Sequence, residues 1–302
     1  MTKSITIGIA TFNRTNFLKK TVNYIIEQNN ESVVEIIIVD QTPDISITKE
    51  LMTYFSLLNN NIIYYLQDRP AVCLARNTII QKAKGDIIIF FDDDVILNKD
   101  CIRSHQSVYE NNTIKSCIGP IYHRLQSYDY NLLDILQPNV GTVEVKEDLK
   151  NINYDYNGVS ISCNQSFDRE ILLKIGGFDE NFIGGYYEDA DLGLRLKKQG
   201  FKIAFHPNAM IVHIKAPQGG LRFEVSQPFT EIERISSFVL YYLRYPNENR
   251  LIKIFWTILR VGPFRKANVI NPVNHFKSWV NLIIACYLSY KKRYLVKSIL
   301  IQ

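Results

Sequence analysis

Apolar and polar positions fall into alternating blocks through the first hundred residues. Residues 5–10, 33–39, 62–66 and 86–91 are short apolar runs of strand length. Between them lie segments of helical period: Leu18, Val22, Ile25 and Ile26 share one face, residues 45–58 form a second helix, and residues 71–83 a third that Gly85 ends. The run Ile87-Ile88-Ile89-Phe90-Phe91 is apolar on both faces of a strand, which predicts a strand covered on both sides. Strands alternating with helices imply right-handed parallel crossovers, so the expected fold is α/β, a doubly wound and mostly parallel sheet. Further on, a helix is expected over 101–109, a strand over 114–118, a strand over 159–163 and a helix over 168–175. Gly176-Gly177 then breaks the chain. An amphipathic helix at 189–199 and strands at 201–205 and 210–214 follow. Residues 122–157, rich in Tyr, Asn and Asp, read as a long loop region that shapes a substrate site.

Residues 232–302 read as helical, interrupted at Gly262-Pro263 and Asn271-Pro272. This divides the chain into a body, 1–222, with halves at 1–100 and 101–222, and a C-terminal helical extension, 223–302. Charge sharpens that division. From Arg234 onward there are twelve Lys or Arg and one acid, Glu248, a net +11. The preceding residues carry 23 Lys or Arg and 29 acids, a net −6, and together these make the overall +5 of the 302-residue chain. The extension therefore reads as basic and amphipathic, suited to lying on an anionic membrane surface, with packing on the body or a homodimer interface as the alternatives. Its aromatic residues sit within apolar runs rather than beside exposed cations, which argues against nucleic-acid binding. The five cysteines are scattered without metal or redox spacing and read as reduced core residues. With no signal-peptide pattern and no apolar run of spanning length, the expected location is cytoplasmic, peripheral on the inner face of the cell membrane.

Three carboxylates, Asp92-Asp93-Asp94, close the strand at 87–91. Together they repel one another and resist desolvation, so a positive partner is expected. Mn²⁺ or Mg²⁺ carrying a substrate phosphate is the natural candidate, since hard cations prefer carboxylate oxygen and share their shell with phosphates. The competing interpretation is a solvated turn whose acids cap the next helix. In open α/β sheets ligands bind beyond the carboxyl ends of the strands, where this cluster lies.

Several segments together resemble the family 2 glycosyltransferases: Ala10-Thr11-Phe12-Asn13-Arg14 after the first strand, Ile38-Val39-Asp40 after the second, and Ala75-Arg76-Asn77 in the third helix. The aspartate cluster follows, then Gly176-Gly177-Phe178-Asp179-Glu180, Glu188-Asp189-Ala190-Asp191 and His213. Each alone is weak, but their joint order over residues 4–215 is specific. The resemblance implies a GT-A-type nucleotide-sugar fold and inverting sugar transfer. It implies that Thr11, Phe12, Asn13 and Arg14 meet the nucleotide, with Arg14 suited to a diphosphate. Asp40 would accept from a base N–H, as uracil offers, while a turn or cap is the alternative role for an aspartate there. Asn77, Asp92, Asp93 and Asn164 complete the implied donor set, and Asp94 with His213 would hold the metal; Arg69, before Pro70 at the third helix, is expected at the base or phosphate, with an ordinary surface cation as the alternative. Residues 218–222 are expected to order over bound nucleotide and bring Arg222 near the phosphates.

Glu188 and Asp189 open a helix, where carboxylates are stabilising on their own by about 0.3–1 kcal/mol. The functional role is Asp189 as general base on an acceptor hydroxyl, with Glu188 orienting it. Asp191, four residues before Arg195, reads as a structural ion pair. The implied donor is a nucleotide-sugar, a UDP-sugar by preference. The implied acceptor is a glycan or lipid-linked glycan in surface polysaccharide synthesis. The alternatives are a metal-dependent nucleotidyltransferase, against which stands the lack of a Gly-rich, Lys-bearing loop near the first strand, and a non-catalytic nucleotide-sugar-binding assembly protein.

Overall fold

The computed structural model describes residues 2–58, 61–123, 160–183, 185–217, 219–220, 231–245 and 272–296. The expected loop beyond His123, Arg222 and residues 246–271 of the expected helical extension lie outside the described residues. The central sheet has seven strands: β1 (Ile5–Thr11), β2 (Val33–Asp40), β3 (Ile62–Leu66), β4 (Ile87–Phe91), β6 (Ile114–Ile118), β8 (Asn164–Asp168) and β9 (Lys202–Phe205). Their order is β3-β2-β1-β4-β8-β6-β9. All neighbours pair in parallel except at β8, which runs antiparallel to both β4 and β6.

Both faces of this sheet are buried, and the alternation of side chains shows why. Ile36, Ile38, Ile87, Ile89 and Phe91 join one apolar cluster, while Ile37, Val39, Ile88 and Phe90 join the other. Helices α1 (Thr15–Glu27), α2 (Ile45–Ser56) and α4 (Cys101–Ser107) cover the first face. Helices α3 (Val72–Lys82), α5 (Arg169–Lys174) and α6 (Glu188–Lys198) cover the second. The continuous apolar strands follow from this, because neither face has a solvent side to keep polar. Gly8 lets α3 cross close over β1: a Cβ there would stand 2.7 Å from Ile79 Cγ2.

One expected strand is displaced. Strand pairing begins at Asn164, not over 159–163, and the sequence Asn-Gln-Ser-Phe-Asp is buried throughout. Its polar side chains are satisfied inside the protein. Ser166 Oγ accepts from Tyr109, Gln165 receives the Ser160 hydroxyl at 2.7 Å, and Asn164 bonds His105 at 2.9 Å. A buried polar strand is tolerated only when each group has such a partner, and these partners come from distant parts of the chain. Asp168 then caps α5 by accepting from Ile171 N.

Two short strands not foreseen from the pattern, β5 (Val95–Leu97) and β7 (Ile121–His123), join the strand expected over 210–214 in a second sheet. β5 pairs antiparallel with β10 (Ile211–His213), and β10 pairs parallel with β7. The register sets His213 opposite Val95, directly after the aspartate cluster. In the C-terminal extension, α7 (Glu231–Arg244) packs on α8 (Pro272–Lys292) through Ile235, Val239, Tyr242, Leu282 and Ala285. α7 is also fastened to the body. Ser237 Oγ receives Ile183 N at 2.8 Å, and Arg244 bonds Asp179 and Asp191.

Candidate active site

The carboxyl ends of β1 and β4 lie side by side, so Thr11 and Arg14 meet the aspartates that follow β4. Thr11 Oγ1 donates to Asp93 Oδ2 at 2.6 Å, and Arg14 donates to Asp93 Oδ1 at 2.7 Å. The same guanidinium stands 3.1 Å from Asp94 Oδ2, which also receives Ala216 N at 2.7 Å. Asp94 Oδ1 is buried and lies 3.0 Å from His213 Nε2, with no hydrogen-bond donor of its own. Burial by itself raises the Asp94 carboxyl, but His213, Arg14 and the Ala216 N–H more than offset that and hold it well below the usual range. Burial pushes Asp93 up to about 6 despite Arg14. Asp92 is the exposed member, 30% accessible, and its Oδ2 stands 3.6 Å from His213 Nε2.

A second charged pair carries the site across to α6. Arg76, on the buried side of α3, donates to Glu188 Oε1 at 2.9 Å, and its other nitrogen stands 3.6 Å from Asp92 Oδ1. The Glu188 carboxyl is pushed up to about 7 by burial and by the neighbouring Asp189 charge, against the pull of Arg76. Its Oε2 is buried without a hydrogen-bond partner. Burial likewise raises Asp189, which accepts from Ala190 N at 2.8 Å and from Ser162 N at 3.4 Å. Tyr187, immediately before, holds a left-handed φ of 67° and packs its ring on Tyr241, 4.6 Å away. The start of α6 is therefore positioned by α7.

The remaining candidate residues divide by position. Asn13, with φ 53°, makes the turn after β1 and donates its N–H to Thr42 Oγ1 at 2.8 Å. The 219–220 segment lies on this turn: Gly220 N donates to Phe12 O at 2.7 Å, and a Cβ on Gly219 would stand 2.2 Å from Asn13 O. Asp40 is fully buried, receives Thr42 N at 2.8 Å and accepts from the Tyr64 hydroxyl. Asn77 exchanges both amide bonds with Phe178, at 2.8 Å each. Asn164 spends its side-chain donors on the carbonyls of Pro120 and Ala209. Arg69 is exposed. Asp191 pairs with Arg195 at 2.7 Å, as the spacing predicts.

Arg76 received no role from the sequence, and Cys163 was read as inert core. The structure brings the Cys163 sulfur together with Asp92 and His213, all three donor atoms within 4.8 Å of one another. Arg76 had a legible signal. Cys73, Ile79 and Ile80 set the buried side of α3, and Arg76 falls on it. A buried arginine requires carboxylates nearby.

The family model described as glycosyl transferase family 2 matches residues 6–176, more than half of the chain. The chain belongs to glycosyl transferase family 2. A model described as the N-terminal domain of galactosyltransferase also matches, over residues 142–217. The chain is 23% identical over 237 residues to the uncharacterized glycosyltransferase YfnE of Bacillus subtilis (strain 168), covering 63% of this chain and 59% of that protein. It is 23% identical over 240 residues to chondroitin synthase of Escherichia coli, covering 70% of this chain and 35% of the synthase. Glycosyltransferase GlyA of Streptococcus pneumoniae serotype 4 matches over 100 residues at 27% identity, 14% of its length. The chain thus spans less than two thirds of each of these relatives. In fold it resembles the crystal structure of GalNAc-T7 with UDP, GalNAc and Mn²⁺, with a TM-score of 0.59, 15% identity and coverage of 86% of this chain and 56% of that one. The doubly wound GT-A-like sheet expected from the sequence is the fold observed.

Proposed function

We propose that this family member is an inverting glycosyltransferase that moves a sugar from a nucleoside diphosphate, UDP by preference, to a hydroxyl of a glycan or lipid-linked acceptor in surface polysaccharide synthesis. The observation that carries this reading is one chain of contacts, His213 to Asp92 to Arg76 to Glu188, linking the carboxyl end of the sheet to the start of α6. The aspartate cluster and a pair of elevated carboxylates are thereby joined by one run of contacts.

The residues present fit a divalent cation. Asp94 Oδ1 and His213 Nε2, 3.0 Å apart, have the separation of adjacent donors in one coordination shell, and Asp92 stands next to them. Asp94, His213 and Asp92 would hold Mn²⁺ or Mg²⁺, with the imidazole favouring Mn²⁺. Such an ion neutralises charge on the departing diphosphate. Arg14 keeps Asp93 and Asp94 in place, and Thr11 fixes Asp93 from the other side. Asp189 takes the acceptor proton as the acceptor oxygen attacks the anomeric carbon from the face opposite the leaving group, which inverts that centre. Burial raises the basicity of Asp189, and Glu188 shares the proton load beside it. The structure of GalNAc-T7 with UDP, GalNAc and Mn²⁺ supports a nucleotide and metal role for the shared fold.

Calorimetry with UDP in the presence and absence of Mn²⁺, followed by a hydrolysis screen of nucleotide-sugars, tests this. Mn²⁺-dependent UDP binding that survives Asp189→Asn while turnover is lost is the expected result. UDP binding indifferent to Mn²⁺, or turnover that survives Asp189→Asn, overturns it.

A further inference from the structure

Helix α8 is built the wrong way round for a helix that only has to pack on its own protein. Its buried stripe is Ser278, Leu282, Ala285 and Ser289, which is narrow and made mostly of small residues. Ser289 uses its hydroxyl on Ser236 O at 2.9 Å, so this stripe serves close approach to α7. The large apolar side chains lie on the opposite side. At 100° per residue, Phe276, Trp279, Val280, Ile283, Tyr287 and Tyr290 gather into one band directly away from that stripe. All six are exposed, with Phe276 at 70%, Ile283 at 66% and Tyr287 at 56% accessibility. A continuous band of this kind marks an interaction surface, unlike single exposed apolar residues.

Charge decides the occupant. From Pro272 to the end of the chain there is no acid, while Lys277, Lys291, Lys292, Arg293 and Lys297 supply five cations. Two copies of this face would bring only like charges together, which disfavours self-association. An anionic surface meets the cations and the apolar band at once. Trp and Tyr on the band are the residue types that settle at the boundary between headgroups and acyl chains. Among the described residues, no helix is long and apolar enough to cross a membrane. α8, with 21 residues, would lie in the plane of the surface. We propose that the outward face of α8 docks the enzyme on an anionic lipid surface, with Phe276, Trp279, Ile283 and Tyr287 inserted among the headgroups and the exposed Lys277 and Lys291 beside them paired to lipid phosphates.

The docking face has a mechanical link to the body. α8 packs on α7, and α7 holds Tyr187, one residue before Glu188 and Asp189. A surface bound by α8 would thus be tied to the element that carries the proposed base.

Co-sedimentation of the full chain with sucrose-loaded vesicles tests the proposal, using phosphatidylcholine alone and phosphatidylcholine mixed with phosphatidylglycerol, at low and high salt. The expected result is binding to the mixed vesicles that salt weakens. Phe276→Ser/Ile283→Ser should partition at least about tenfold more weakly, since two large apolar side chains no longer leave water. Both sites are exposed, so its melting temperature and UDP binding should match those of the parent. Lys277→Glu/Lys291→Glu should lose most of the preference for the anionic vesicles. A chain that stays in the supernatant with the mixed vesicles overturns the proposal. So does a stable dimer in sedimentation velocity that Phe276→Ser/Ile283→Ser converts to monomer, which would assign the band to a second copy.

Discussion

Replacing Arg76 by methionine tests the site's electrostatics most directly. Arg76 and Glu188 are both almost fully buried, and their side chains meet at 2.9 Å. Removing one partner of such a pair leaves an uncompensated buried charge and costs roughly 3–5 kcal/mol. The pH dependence separates that cause from simple loss of packing. The Glu188 carboxyl rises from 4.5 to about 7 even with Arg76 in place. A raised folded-state value means the protonated form contributes stability that is complete below about 4.5 and is lost as pH climbs through about 7. Without Arg76 the folded value rises further, so that loss continues to higher pH. Urea unfolding should therefore show a small deficit for Arg76→Met at about pH 5, where Glu188 holds a proton in both proteins, and a larger one at about pH 8 that is still growing with pH. Asp92, 30% accessible and 3.6 Å away, adds little because water screens it. Adding Glu188→Gln should restore most of the loss at the higher pH, since a neutral residue needs no cation. Equal deficits at both pH values, or no rescue by the double variant, would refute the reasoning.

Three further outcomes follow from the same geometry. Turnover should fall as the medium is acidified from well above the ordinary carboxylate range, because burial raises the Asp189 carboxyl and pushes Glu188 beside it up to about 7; Glu188→Gln should move that limb to lower pH by removing a like charge beside Asp189, and a limb in the ordinary carboxylate range for the parent enzyme would contradict this. His213→Ala should weaken Mn²⁺-dependent UDP binding by about a hundredfold or more while leaving the far-ultraviolet circular dichroism unchanged, read by calorimetry. Gly8→Ala should lower stability by about 1–3 kcal/mol in denaturant titration, because its Cβ would press on Ile79 at the point where α3 crosses β1.

The doubly wound body was legible because its signals are local. Both-face burial writes continuous apolar runs into β2 and β4, and helical period writes Leu18, Val22 and Ile25 onto one side of α1. The aspartate cluster was legible because three carboxylates at a strand end are costly anywhere in a fold. β8 was missed for the opposite reason. Asn164, Gln165 and Ser166 look like a loop until His105, Tyr109, Ser116 and Ser160 arrive to satisfy them. Asp40, Asn77 and Asn164 were expected at the donor and are found bonded to the protein's own groups. Their chemistry suits either role.

Taken alone, the amino-acid order determined the strand–helix alternation of the first hundred residues, the parallel body, the acidic strand end and the basic tail. Each depends on a residue's own preference or on neighbours a few positions away. Tertiary structure decided that His213 lies beside Asp94, through a three-residue strand pairing with Val95–Leu97. It also decided that Arg76 joins Asp92 to Glu188, and that the large side chains of α8 point outward. These are contacts between residues up to more than a hundred positions apart. Their free energy comes from removing charge and apolar surface from water together, which no local pattern encodes.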